Sequence, residues 1–404
     1  MKQLLIIFII STITISSCQT GNNKMSGNAG NFLQVDSLPG ECPYLAKDNN
    51  GNIIMSWIRS LNDSTHILCY AVSKDQGKTF SPGKEVPSST NIEPHSENLP
   101  KIIYKPSGEV MALWGAAYPN PKNKYSGLVY YSQSFDAGKT WTTSRPLVDD
   151  EKSYDQRYYD VAMLQNGEIG IIWLDNRKTT TKEGSGLYFA STSGRSGFTS
   201  GGLISQPCCQ CCRTDLFVDT HGQVHVLYRG IIQDSIRDMV HIVSTDGGKS
   251  FSQPKRISKD NWVLNACPHT GPTMTENKEG IHFAWYTGGK NKGCFYNQST
   301  DNGKSFSTPE SISSMGSHPQ AATMANGNIV ISWDETLKTD TSINKRIGIE
   351  MRAQGGKFLK KKFITPDSGS CSYPVVTALD DNKCLVAYSR KQGKNTFVSY
   401  QVVE

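Results

Sequence analysis

Seven times along the chain a Gly, or once an Asn, opens an alternating apolar run that ends on an aromatic residue. The runs are Gly51 to Trp57, Gly108 to Trp114, Gly167 to Trp173, Gly222 to Tyr228, Gly280 to Trp285, Gly327 to Trp333 and Asn382 to Tyr388. Eight residues before each opening position another β-like run begins, at Pro43, Pro100, Tyr159, Thr214, Pro272, Pro319 and Pro374. Alternation of this kind is the period of a half-buried strand, and proline suits the first residue of a strand, where a missing ladder donor costs least. Each unit therefore reads as two hairpins forming one four-stranded antiparallel sheet. Sheets repeated at this period bury both faces by closing into a ring. The expected fold class is all-β, a β-propeller of seven four-stranded blades forming one domain over residues 32–404. The last unit shows three strands, Tyr373 to Leu379, Lys383 to Ser389 and Thr396 to Val403, so Phe32 to Leu38 is expected to supply the fourth and close the ring.

A second signature follows the second strand in four units. Ser73 to Phe80, Ser134 to Trp141, Ser244 to Phe251 and Ser299 to Phe306 all fit S-x-D-x-G-x-[ST]-[WF]. The aspartates Asp75, Asp136, Asp246 and Asp301 can accept turn N–H bonds, Gly takes the left-handed conformation, and the aromatic plugs the gap to the next sheet. Worn copies stand at Ser191 to Phe198 and Met351 to Phe358. These are Asp-boxes (BNR repeats), and with them the chain resembles the sialidase superfamily over residues 32–404. The resemblance implies a six-bladed propeller, the alternative to the seven units counted, and an exo-α-sialidase or related glycoside hydrolase acting on acidic sugars. It also implies an Arg triad for the substrate carboxylate, a Tyr assisted by Glu as nucleophile, and an Asp as acid/base. The first Arg of that triad belongs to an Arg-Ile-Pro motif opening the first blade, where this chain reads Glu41-Cys42-Pro43. A carboxylate there repels a carboxylate instead of pairing with it. Arg157, Arg213, Tyr373 and Asp215 are the remaining candidates for catalytic work, with Asp160 beside them in the pattern.

The N-terminus reads as a targeting segment. Met1-Lys2-Gln3 is a short cationic start, and Leu4 to Ile15 is an apolar run too short to span a bilayer. It ends in Ile15-Ser16-Ser17-Cys18, which resembles a bacterial lipobox. Residues 1–17 are expected to be a lipoprotein signal peptide, Cys18 the lipidated residue, and residues 18–31 a flexible tether. The chain is then a monomer held on the membrane by lipid alone, in the bacterial cell envelope with the periplasmic side favoured. The 42 cationic and 36 anionic side chains are spread without long runs, which argues against nucleic acid as a partner.

Eleven cysteines are the feature that the repeat does not explain by itself. In a propeller the first strand of each blade lines the axis, so residues just before the seven starting positions should meet at one mouth of the channel. Those stretches hold Cys42, His95, Cys208, Cys209, Cys211, Cys212, Cys267, His269, His318 and Cys371. Cys69, Cys294 and Cys384 fall inside strand patterns and are expected in the core. Thiolate and imidazole donors together suit a soft transition metal, with copper foremost. Three readings follow: an exported propeller whose axial Cys/His cluster binds such a metal; a glycoside hydrolase; and a disulfide-bonded scaffold that presents its faces to a protein or glycan.

Overall fold

The computed structural model describes residues 32–177, 183–264, 266 and 268–404. The expected leader, Cys18 and the tether lie outside them, as does Cys267. Seven antiparallel sheets of four strands follow one another around a ring. Blade one comprises Gly40–Lys47, Ile53–Ser60, His66–Ser73 and Lys84–Glu85. Blade seven comprises Cys371–Ala378, Cys384–Gln392 and Asn395–Val403, with Leu33–Gln34 as its outer strand, paired to Tyr400 and Ser399. Joining the two chain ends in one sheet closes the ring as the repeat pattern requires, and Arg390 stacks over Phe32 to hold the seam. The blade number is seven, not six. Among the described residues no helix is long and apolar enough to cross a membrane.

The repeated aromatics explain the packing. Trp57, Trp114, Trp173, Trp285 and Trp333 are all fully buried between neighbouring sheets. Four of them find acceptors for the indole N–H: Asn91, Asp175, Asp260 and Glu335. Buried Trp contributes a large apolar area while its one donor is satisfied, the arrangement that stabilises an inter-sheet core most. Cys69, Cys294 and Cys384 are buried in strands, as the alternation implied. At the rim each of Asp75, Asp136, Asp246 and Asp301 accepts a hydroxyl and a backbone N–H from the Thr or Ser four residues on. Those bonds hold the four carboxyls below their ordinary range.

The inner strands carry a device that the spacing did not show. In blades one, three, six and seven the ladder shifts register between Glu41 and Tyr44, Arg157 and Asp160, Ser317 and Gln320, and Ser372 and Val375. Two residues there face one on the second strand, and that one is always the repeated aromatic: Trp57, Trp173, Trp333 or Tyr388. The first bulged residue takes a left-handed conformation, at φ 60° for Cys42, 56° for Tyr158, 53° for His318 and 53° for Tyr373. Non-glycine residues adopt this region rarely, and such bulges redirect a side chain. The inner strands thus begin earlier than the sequence pattern placed them, and Cys42, His318 and Tyr373 lie at bulges within strands rather than in loops before them.

Candidate metal centre at the axial mouth

Contacts between blades that are not neighbours mark the axis. Glu97, ahead of blade two, accepts the backbone N–H of Gly271, ahead of blade five, at 2.7 Å. Arg213, ahead of blade four, donates to the carbonyls of Gly271 and of Pro319 in blade six, both at 3.2 Å. Below this level the axis is filled by side chains one position past each strand start. Lys101 pairs with Asp160 at 3.3 Å and lies over the rings of Tyr44 and Tyr159. Burial lowers the Lys101 ammonium from its usual range. Burial, reinforced by Asp160, pushes the Asp215 carboxyl up to about 8, while its Oδ2 accepts the Met274 N–H at 2.7 Å. The channel is a packed, charged plug.

Of the candidate ligands, the structure gathers three thiols. Cys209, Cys211 and Cys212 are buried and their sulfurs all lie within 4.8 Å of one another, with Cys209 Sγ and Cys211 Sγ 3.6 Å apart. The chain arrives from the outer strand of blade three, Gly202–Cys208, and crosses the end of the second strand of blade four, where the Cys209 N–H bonds the Arg229 carbonyl at 2.7 Å. Three sulfurs at about 2.3 Å from a metal in a trigonal plane stand about 4.0 Å apart, a value between the 3.6 Å that separates Cys209 from Cys211 and the 4.8 Å that bounds the trio.

Arg229 supplies the electrostatics. Its side chain is fully buried, with Nε 3.3 Å from Cys212 Sγ. The other guanidinium nitrogens donate to the carbonyls of Arg237, Thr270 and Tyr286, and the plane stacks on Trp262. Among the described residues no carboxylate pairs with it. A buried cation needs a counter-charge, and Cys212 is the thiol in contact with it. Hydrogen bonds from Cys211 and Cys212, aided by Arg229, hold the Cys209 thiol far below its usual range. Cys211 and Cys212 are correspondingly pushed up, Cys211 through those shared hydrogen bonds and Cys212 chiefly through burial.

The remaining candidates sit elsewhere. Cys208 is packed with its sulfur toward the Ser205 carbonyl. Cys42 is buried near Ser96, its N–H bonded to Ser389 Oγ at 3.2 Å. Cys371 belongs to the core of blade seven, where burial pushes its thiol up to about 11. These three stand apart from the trio because their side chains pack between blades. His318 Nδ1 bonds Asp334 at 2.9 Å and its ring stacks on Tyr373. Burial alone would lower this imidazole, yet the Asp334 carboxylate more than offsets it and the net shift is upward. His95 and His269 face each other, ring centres 5.9 Å apart, in a cavity of about 590 Å³ that Cys211, Gln210 and Arg157 also line. All nine described cysteines are free thiols.

The catalytic candidates do not form one constellation. Arg157 is bound bidentately by Asp155 at 2.7 and 2.8 Å, Arg213 is spent on carbonyls, Asp215 is sealed in the axial plug, and Tyr373 lies against His318. Sequence reasoning passed over Arg229 as a partner of the thiols and Asp334 as the partner of His318. Both occupy the position directly after the repeated aromatic, as does Ser389, which holds Cys42. A charged residue at that point of the repeat was the available signal.

A ring of seven four-stranded antiparallel blades has the fold of the sialidase-like propellers. Among solved structures, the chain is similar to a protein of unknown function from Dyadobacter fermentans, with a TM-score of 0.54 and 14% identity over 93% of this chain and 97% of that one. It is also similar to a point mutant of the NanB sialidase of Streptococcus pneumoniae, with a TM-score of 0.53 and 13% identity over 96% and 72%. The intramolecular trans-sialidase of Ruminococcus gnavus matches with a TM-score of 0.53 and 9% identity over 93% and 97%. Identities this low concern the fold alone. No protein-family model and no curated protein matches the chain.

Proposed function

We propose that this protein carries a soft transition metal, Cu(I) foremost, held by the thiolates of Cys209, Cys211 and Cys212 at the mouth of the propeller axis. The observation that carries the reading is the closure of three buried thiols on one another, with Cys212 against a buried guanidinium that has no carboxylate partner among the described residues. Thiolate donors select Cu(I) over harder ions. Three of them complete a trigonal shell, so the site suits storage or delivery of the ion rather than catalysis at an open coordination position. A lipoprotein leader with Cys18 as its lipid site would place such a carrier in the bacterial cell envelope.

Competition against a Cu(I) chelator is expected to show one ion per chain. Cys209 is shifted toward the thiolate, whereas Cys211 and Cys212 are shifted toward the thiol and give up protons on binding. Affinity therefore rises with pH, by up to about a hundredfold per unit for two protons released, at pH values below both thiol values. A chelator-corrected affinity that is flat between about pH 6 and 8 would contradict three-thiolate binding.

A further inference from the structure

The thiols of the trio are almost sealed from solvent, with Cys209 and Cys212 1% exposed and Cys211 4%. A carrier must nonetheless load and unload. Of the three, Cys211 alone lines the 590 Å³ cavity, together with His95 and His269. These two imidazoles are not equivalent. His95 Nδ1 accepts the Glu97 N–H at 3.2 Å, and its Nε2 lies 3.5 Å from the Tyr158 hydroxyl. A neutral imidazole has one lone-pair nitrogen, and in His95 the backbone already uses it. His269 is exposed, with no hydrogen bond on its ring among the described residues. Its backbone sits at φ 48°, and outliers of this kind gather at functional sites.

We infer that His269 is the exchange ligand of the thiol site, the group through which Cu(I) passes between the cavity and Cys211. This rests on the reading of the trio as a Cu(I) site. The His269 lone pair takes the ion from its donor. Cys211 then loses its proton to solvent as the copper–sulfur bond forms, the imidazole is released, and Cys209 and Cys212 complete the shell, the Cys212 proton also passing to solvent. Copper stays Cu(I) throughout and no electron is transferred. Withdrawal runs the same steps backward.

The test is stopped-flow loading of the purified protein with the Cu(I)–acetonitrile complex, and withdrawal by bathocuproine disulfonate. His269→Ala is expected to slow both by about tenfold or more, a change in barrier that loss of one transient ligand bond readily produces. Free imidazole in the buffer is expected to restore the rate, because the cavity admits a ring of that size; a merely structural role for His269 would show no such rescue. Exchange at the wild-type rate in His269→Ala overturns the inference. So does a slow variant that imidazole leaves slow, or complete loss of copper, which would make His269 a resident ligand. A wild-type protein that takes up no Cu(I) overturns the metal reading itself, so the two failures are distinct.

Discussion

Replacing Cys209, Cys211 and Cys212 together by Ser is expected to abolish stoichiometric Cu(I) uptake and leave the propeller folded. A serine hydroxyl does not ionise near neutral pH and is a hard donor, so none of the three positions retains a ligand for a soft cation. The trio packs in the core shared by blades three and four, but no strand ladder runs through it. The sulfurs belong to the connection between blade three and blade four, and the seven ladders that close the ring run elsewhere. Three buried hydroxyls and an Arg229 without its counter-charge will lower stability by a few times the roughly 1–3 kcal/mol that one poorly satisfied buried polar group costs. Far-UV circular dichroism should keep its β signature while the metal content falls to zero. Cys371→Ser, in the core of blade seven, should leave the stoichiometry at its wild-type value. Equal loss of copper from both variants would mean that the ligands lie outside the trio.

A large effect on stability from a single substitution is expected for Lys101→Met. Lys101 is a buried cation of the axial plug, paired with Asp160 and close to Asp215 and Arg213. Removing one partner of a buried ion pair leaves the other uncompensated and typically costs about 3–5 kcal/mol. The pH dependence gives the effect a signature. Asp215 is raised to about 8 in the folded protein, whereas an unfolded Asp titrates near 3.9. The folded state therefore binds more protons between these values, and this group's contribution to stability is lost as pH rises from about 4 through about 8. Without the Lys101 ammonium the Asp215 carboxyl resists ionisation further, so in denaturant unfolding Lys101→Met should lose more stability with rising pH than the wild type does. Adding Asp160→Asn should recover part of the loss, a non-additivity expected for direct neighbours. Additive effects, or a variant with unchanged slope, would show that Lys101 and Asp160 do not form the plug described.

The ring itself was legible in the sequence because its signal repeats. One Gly-to-aromatic run is ambiguous, but seven runs each preceded at eight residues by a second strand leave few other ways to bury the same faces. The chain-end closure could be read for the same reason, since blade seven lacked one strand. The site was legible only in outline. Gathering the cysteines ahead of the inner strands pointed to one mouth, where Cys209, Cys211 and Cys212 close on one another while Cys42, Cys208 and Cys371 pack between blades. For Cys42 and Cys371 the cause is a single-residue matter, whereas Cys208 ends the outer strand of blade three. A bulge opposite Trp57, Trp173, Trp333 or Tyr388 adds one residue and changes which side chain turns toward the axis, and nothing in the alternation marks it. Arg229 and Asp334 were hidden differently: each ends a strand whose apolar pattern had already accounted for its neighbours, and the partner each one needs comes from a distant part of the chain.

The central claim is that three sulfurs, and no other donors, hold the ion. X-ray absorption at the copper edge of the Cu(I)-loaded protein tests this most directly. The account predicts a Cu(I) edge with a single shell of three sulfur scatterers, lost in the triple serine variant. A first shell containing nitrogen or oxygen, or a copper signal that persists without Cys209, Cys211 and Cys212, would contradict it.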